Sequence, residues 1–277
     1  MERKALALTV LVKAFSLNYD EGYGNVAVLK KVHRGSGETY LFASRQSLRY
    51  SIGEWCFENV GWKRATPIPA GEGNKQVIQF NPEELEKSYF EEADLFGYMI
   101  TTGGNKTRSA VARLTHMIAL EPYCGDQELL NNKGFADRIE KDPNLANIET
   151  GYGYYKYSLA VDLDRVGEDK QFNISLATEE KIKRVCDLLE AIKFLYRDIK
   201  GRREDLNPLF VIGGIYPIKS LFWHNAVDIY WRGSKACIKQ DSIEQVLNAQ
   251  LKKAGGQDFL VRQYTRIGRY SKRRIWK

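Results

Sequence analysis

The sequence predicts an α+β fold. Alternating apolar segments of strand length recur along the chain, two stretches carry apolar residues at helical spacing, and the two kinds interleave instead of segregating. With 277 residues there is room for one large domain with insertions. A chain of this size buries roughly 75% of its unfolded surface, so it needs neither disulfides nor metal to fold.

The first strand covers 5–17. Leu6, Leu8, Val10 and Val12 share one face at period two, while Thr9, Lys13 and Phe15 make the other face less apolar. A turn-rich loop, 18–25, follows, and 26–32 with 38–42 predict a hairpin around 34–37. Ser44 caps a helix to about 57 whose Leu48, Ile52, Trp55 and Cys56 face the core. Arg45 and Arg49, four apart, border that apolar face. Residues 58–106 read as an insertion: Pro67, Pro69, Gly71 and Gly73 mark an irregular stretch, and 82–94 is an acidic helix candidate.

A β-rich segment, 107–120, and a clear strand, 154–163, flank a second insertion at 121–152. Thr178 then caps the strongest helix, with Ile182, Val185, Leu188, Leu189, Ile192, Leu195 and Ile199 on one stripe and Gly201 as its stop. A strand at 207–213 leads into Gly213-Gly214, and 242–253 is a last helix. The strongest elements run βαββαβ, the series of a ferredoxin-like (RRM-like) domain occupying 1–277. The stacking signature by which such domains usually read RNA is absent.

Composition excludes several classes. Hydrophobic content of 43% and charged content of 28% argue against wholesale disorder. No apolar run reaches the ~18 residues of a membrane span. The apolar stretch 6–12 is too short and broken for a signal peptide, so no membrane association is expected. Four cysteines without a CxxC pair and three isolated histidines exclude a zinc finger and predict a reducing, cytoplasmic setting. Walker A, dinucleotide-binding, HExxH and GxSxG motifs are all missing, so no cofactor and no metal is expected. Asp20 and Glu21 sit in the loop after the first strand, where an acid beside bound RNA would aid metal-dependent cleavage; turn chemistry explains Asp20 as well.

The net charge of +7 is concentrated in one place. Arg262, Arg266, Arg269, Lys272, Arg273, Arg274 and Lys277 hold seven of the 42 basic residues, and the 35 left equal the 35 acidic ones. This tail, 257–277, interleaves its cations with Tyr264, Tyr270 and Trp276, a pattern suited to a polyanion with stackable bases. Ser44, Arg45 and Gln46 mark a helix start whose N–H groups and dipole favour a phosphate. Gly213 and Gly214 allow close backbone approach, either to a ligand or within a tight turn.

Five ordered segments carry a family resemblance. They are Asn18-Tyr-Asp-Glu, Ala43-Ser-Arg-Gln-Ser-Leu-Arg49, Thr107-Arg-Ser-Ala-Val-Ala-Arg113 leading to Ala119-Leu-Glu-Pro122, Val161-Asp-Leu-Asp-Arg165, and Gly213-Gly-Ile-Tyr-Pro217. Together they resemble the DevR branch of the Cas-seven family, the repeated backbone subunits of CRISPR Cascade complexes, with the closest look to type I-B. The resemblance implies an RRM-like palm with a finger at 58–106 and a thumb at 121–152. It implies copies assembled along one CRISPR RNA (crRNA), with other Cascade subunits as partners and target DNA reached through the guide, in antiviral defense.

On that basis Asn18, Ser44, Arg45, Gln46, Arg49, Lys106, Arg108, Arg113, Gly213 and Gly214 are the expected RNA-binding residues, and no catalytic residue is expected. Contacts of this kind position RNA without reading it. The alternatives are a CRISPR-related ribonuclease acting through Asp20 and a stand-alone single-stranded RNA-binding protein.

Overall fold

In the computed structural model one of the two longest strands, Ala5–Phe15 (β1), lies inside an eight-stranded antiparallel sheet. The structure describes residues 4–71, 73, 76–248 and 259–262. The expected basic tail therefore lies outside the described residues except for its strand residues 259–262.

The sheet's other members are Lys31–His33 (β2), Thr39–Ala43 (β3), Ala112–Leu114 (β4), Met117–Ala119 (β5), Tyr152–Asp162 (β6), Phe210–Tyr216 (β7) and Phe259–Arg262 (β8). Two long helices accompany it, Arg45–Asn59 (α1) and Thr178–Lys193 (α2). The strand order is β8-β7-β1-β6-β5-β3-β2, with β4 also on β6. Along β1, Leu8, Val10 and Val12 face a core built with Leu48, Ile52 and Cys56 of α1 and Leu188, Ala191 and Ile192 of α2. Ala7 and Leu11 face the other way, against Tyr154, Trp223 and Val227. Both sheet faces are thus covered near the middle, by helices on one side and the 216–247 segment on the other.

Several elements depart from the sequence expectation. The β-rich stretch 107–120 splits: Lys106–Arg108 pairs with Tyr98–Ile100, and only β4 and β5 join the main sheet. The acidic stretch forms two short helices, Pro82–Lys87 and Glu91–Phe96. At 100° per residue Leu85 and Phe90 would face different directions on one helix; the break lets both enter a small core with Ala93, Tyr98 and Ile100.

Helix α2 starts after Ala177, without a side-chain cap, and ends at Lys193. The expected continuation to 199 is instead a hairpin, Tyr196–Ile199 with Arg202–Asp205. Its turn residues Lys200 and Gly201 have φ of 47° and 78°, the paired left-handed backbone that a two-residue hairpin turn demands. The last helix among the described residues is Gln240–Val246; positions 249–253 of the expected 242–253 helix lie outside the described residues.

Residues 121–152 form a hairpin of their own, Asp126–Asn131 with Leu145–Thr150, with Val26–Ala27 added in parallel. Among the described residues no helix is long and apolar enough to cross a membrane.

A buried ionic cluster anchors the 58–106 stretch to the sheet and α2. Asp94, fully buried, accepts from Arg108 Nη2 at 2.5 Å and Arg184 Nη1 at 2.9 Å. The Gly167 N–H also donates to it, at 2.9 Å. Asp169 nearby takes the hydroxyls of Tyr89 at 2.7 Å and Tyr98 at 2.6 Å. Asp94→Ala would remove the main carboxylate of two buried guanidiniums, leaving Arg184 only the half-exposed Glu180 at 3.1 Å and Arg108 only Asp169 at 3.9 Å, so a loss of about 3–5 kcal/mol is expected in urea unfolding. Glu92→Ala, which breaks only a half-exposed pair with Arg49, should cost under about 1 kcal/mol in the same assay.

Candidate nucleic-acid interface

The start of α1 is held in place from two sides. Ser44 has extended backbone, and its Oγ accepts the Ser47 N–H at 3.2 Å. Asn18 Oδ1 accepts the Ser44 N–H at 2.9 Å, tying the loop after β1 to this cap. His116, just before β5, accepts the Arg45 N–H on Nδ1 at 3.1 Å and lies edge-on to Phe42. Most donors at the helix start are therefore satisfied internally, which narrows the expected phosphate cradle. What faces outward is the Arg45 side chain, with no acid partner among the described residues, and the exposed Gln46. Asn18 acts as a brace for this site.

Arg49 follows one turn later, paired with Glu92 at 3.1 Å and lying over Phe96. It lines a groove of about 430 Å3 between α1 and the 58–106 stretch, with Gln46, Tyr50, Phe57 and Arg64. Arg197 is a cation the sequence reading missed, because it placed this residue inside a helix. Its Nη1 donates to the Ser47 carbonyl at 3.1 Å, and its Nε is buried without an acceptor. Burial pushes its pKa down, and no carboxylate among the described residues pairs with it. The readable signal was Lys200-Gly201 as a hairpin turn, which would have put Arg197 on a strand.

The other expected residues are not gathered here. Lys106 pairs with Glu86 at 3.2 Å and lies over Phe172. Arg113 reaches both oxygens of Asp162 at 3.0 Å but stays half-exposed.

Arg108 corrects the expectation. Its guanidinium is buried on Asp94 and on the carbonyls of Arg165 and Glu168, so no surface phosphate can reach it. Gly213 and Gly214 are corrected too: they are buried inside β7, between β1 and β8, and form neither a turn nor a groove wall. A Cβ on Gly213 would lie 2.5 Å from the Ala7 carbonyl oxygen, so the close approach is to the neighbouring strand.

Asp20 is exposed. Its carboxylate accepts the Glu21 N–H and the Lys30 ammonium, which together hold it below the usual carboxylate range. Ser158 lies 2.9 Å from His224 Nδ1 and 2.7 Å from Thr9, but its side chain is sealed from solvent. The acidic stretch 83–94 spends Glu86, Glu92 and Asp94 on cations of this same chain.

This fold is shared with chains of two solved complexes. One solved structure, a CRISPR RNA-guided surveillance complex described as pre-nicking, contains a chain with TM-score 0.60 and 12% identity, the match covering 92% of this chain and 90% of that one. A second, a CRISPR RNA-guided surveillance complex, gives TM-score 0.59 and 14% identity over 92% of this chain and 86% of the other. No curated protein matches in sequence. The family model described as CRISPR-associated negative auto-regulator DevR/Csa2 matches residues 6–222, and the chain belongs to that family.

Ser44→Ala removes the cap and should lower the unfolding free energy by about 1 kcal/mol. Asn18→Ala should act in the same direction, because the Ser44 N–H loses its acceptor; thermal and urea melts measure both.

Proposed function

We propose that this chain is a non-catalytic backbone subunit of a type I Cascade complex, of the I-B kind, binding CRISPR RNA and multimerising along it. The observation that carries the reading is the start of α1. It is a capped, braced helix end that presents Arg45 and Gln46 outward with Arg197 beside its first turn, in a chain of the DevR/Csa2 family. Cations left without acids beside a helix start suit phosphates, and phosphate contacts ignore sequence. That fits a guide whose base pairing, and not the protein, selects the target DNA.

The sheet order supports a ferredoxin-like palm. The strand after α2 (β7) neighbours β1, β1 neighbours β6, and β6 neighbours the β4–β5 pair. On this reading 58–106 is the finger and 121–152 the thumb. Leu129, Phe135, Ile139 and Leu145 are exposed along the thumb, which supports its contact with a neighbouring copy or other Cascade subunits. The assembly would work in the cytoplasm.

Purified protein should carry RNA and run as a large particle that RNase collapses; absorbance ratio and native mass check this. Arg45→Ala with Arg49→Ala should weaken RNA binding while the monomer stays folded, and Arg197→Ala should act in the same direction. The slope of log affinity against log salt should flatten by about 0.7 for each phosphate that is no longer neutralised. Asp20→Ala should leave assembly intact with no cleavage in either protein. RNA cleavage that vanishes in Asp20→Ala would establish the ribonuclease instead.

A further inference from the structure

The second face of the sheet is closed by the 216–247 segment only as far as Tyr154. Beyond it the last rungs of β1 and β6 lie open. Lys13 is opposite Tyr154, and Phe15 is opposite Tyr152. The Phe15 and Tyr152 rings stack with centroids 4.5 Å apart, yet they remain 46% and 57% exposed. Lys13 Nζ sits 4.4 Å from the Tyr152 ring centre and 5.2 Å from that of Tyr154. Trp231, 51% exposed, meets Tyr154 edge-on at 6.2 Å and extends the aromatic surface.

Folding does not require this arrangement. Aromatic rings of this size, placed on strands, normally turn into a core. Two carboxylates border the rings and accept backbone N–H groups, Glu204 that of Phe15 at 3.0 Å and Glu121 that of Tyr154 at 2.9 Å, but the cations around them outnumber these acids and are largely unspent. Lys13 has rings but no carboxylate beside it among the described residues, and Arg232 and Lys235 at the tip of the Trp231 hairpin have no acid partner there either. Arg202, over Phe15, is the exception, since it is bound to Glu204. Rings with open faces, set among cations, complement a polyanion that carries flat π-systems. A purely apolar protein partner would not call for Lys13 at the centre.

We infer that Phe15, Tyr152 and Trp231, with Lys13 between them, form a base-stacking platform for single-stranded RNA. It is separate from the phosphate contacts at α1. The two are joined through Asn18, three residues after Phe15, and so no more than about 11 Å away along an extended chain. Stacking accepts any base, because every base has a π-face, so the platform would serve a strand of arbitrary sequence. The inference rests on the reading that this chain binds RNA.

The test compares wild type with the double variant Phe15→Leu/Tyr152→Leu. The substitutions keep apolar bulk but remove the rings, at exposed positions where folding is not at stake; a thermal melt checks this. Two probes are used: an unstructured fluorescein-labelled single-stranded RNA, and inorganic polyphosphate, which has the charge but no bases. The expected result is about a tenfold loss of affinity for RNA with polyphosphate binding unchanged. Phe15→Tyr/Tyr152→Phe should restore RNA affinity.

Unchanged RNA affinity in the leucine variant would overturn the platform while leaving the α1 site standing, because Arg45→Ala should weaken both probes. Equal loss on both probes would also overturn it. Normal RNA affinity with lost multimers would make this face a contact between copies, again against the proposal. A wild type that binds no RNA would overturn the platform and the proposed function together.

Discussion

Asp94 is the constraint on which the rest of the arrangement depends. One fully buried carboxylate, within the 58–106 stretch, gathers Arg108 from the strand that follows it, Arg184 from α2 and the Gly167 N–H from the loop after β6. A buried charge must be paired and hydrogen-bonded or it costs several kcal/mol. The three segments are therefore held together by an interaction that none can leave cheaply. The short helix Glu91–Phe96 is thereby set against α1, which places Glu92 on Arg49 and forms the groove beside Gln46 and Tyr50.

The same rule sorts the chain's cations. Arg108 and Arg184 are consumed in the interior, and Arg113, Arg165 and Lys219 converge on Asp162. Arg45, Arg197 and Lys13 are left without a carboxylate among the described residues, and they flank the segment from β1 to the start of α1. Unspent cations gathered beside a helix start suit an external anion, which a count of basic residues would not reveal. On the proposed reading the guide backbone supplies that anion.

Two modes of contact then complement each other. On the proposed reading, cations at the start of α1 would hold phosphates, while the open rings past Tyr154 would hold bases. Neither mode reads sequence. On that reading, a subunit that must accept any spacer would have reason to use both, leaving the pairing edges of the bases for the target.

Elements whose signals are local were legible in the amino-acid order alone. Period-two alternation marked β1 and β6, Ser44 marked the start of α1, and the stripe through Leu188 and Ile192 marked α2. Arg45 and Gln46 were marked at the helix start, where the structure leaves them outward-facing. Whatever depends on partners distant in the chain needed the folded molecule. Arg108 reads as a phosphate ligand until Asp94 encloses it, and Gly213 reads as open to a ligand or as a tight turn until Ala7 lies against it. Arg197 looked like a helix residue until the Lys200-Gly201 turn folded it back beside Ser47. Phe15 and Tyr152, 137 positions apart, became one surface through strand register alone. Local backbone preferences act over a few residues and can be read from spacing. Whether a charge is spent or a ring is covered depends on what the fold brings beside it.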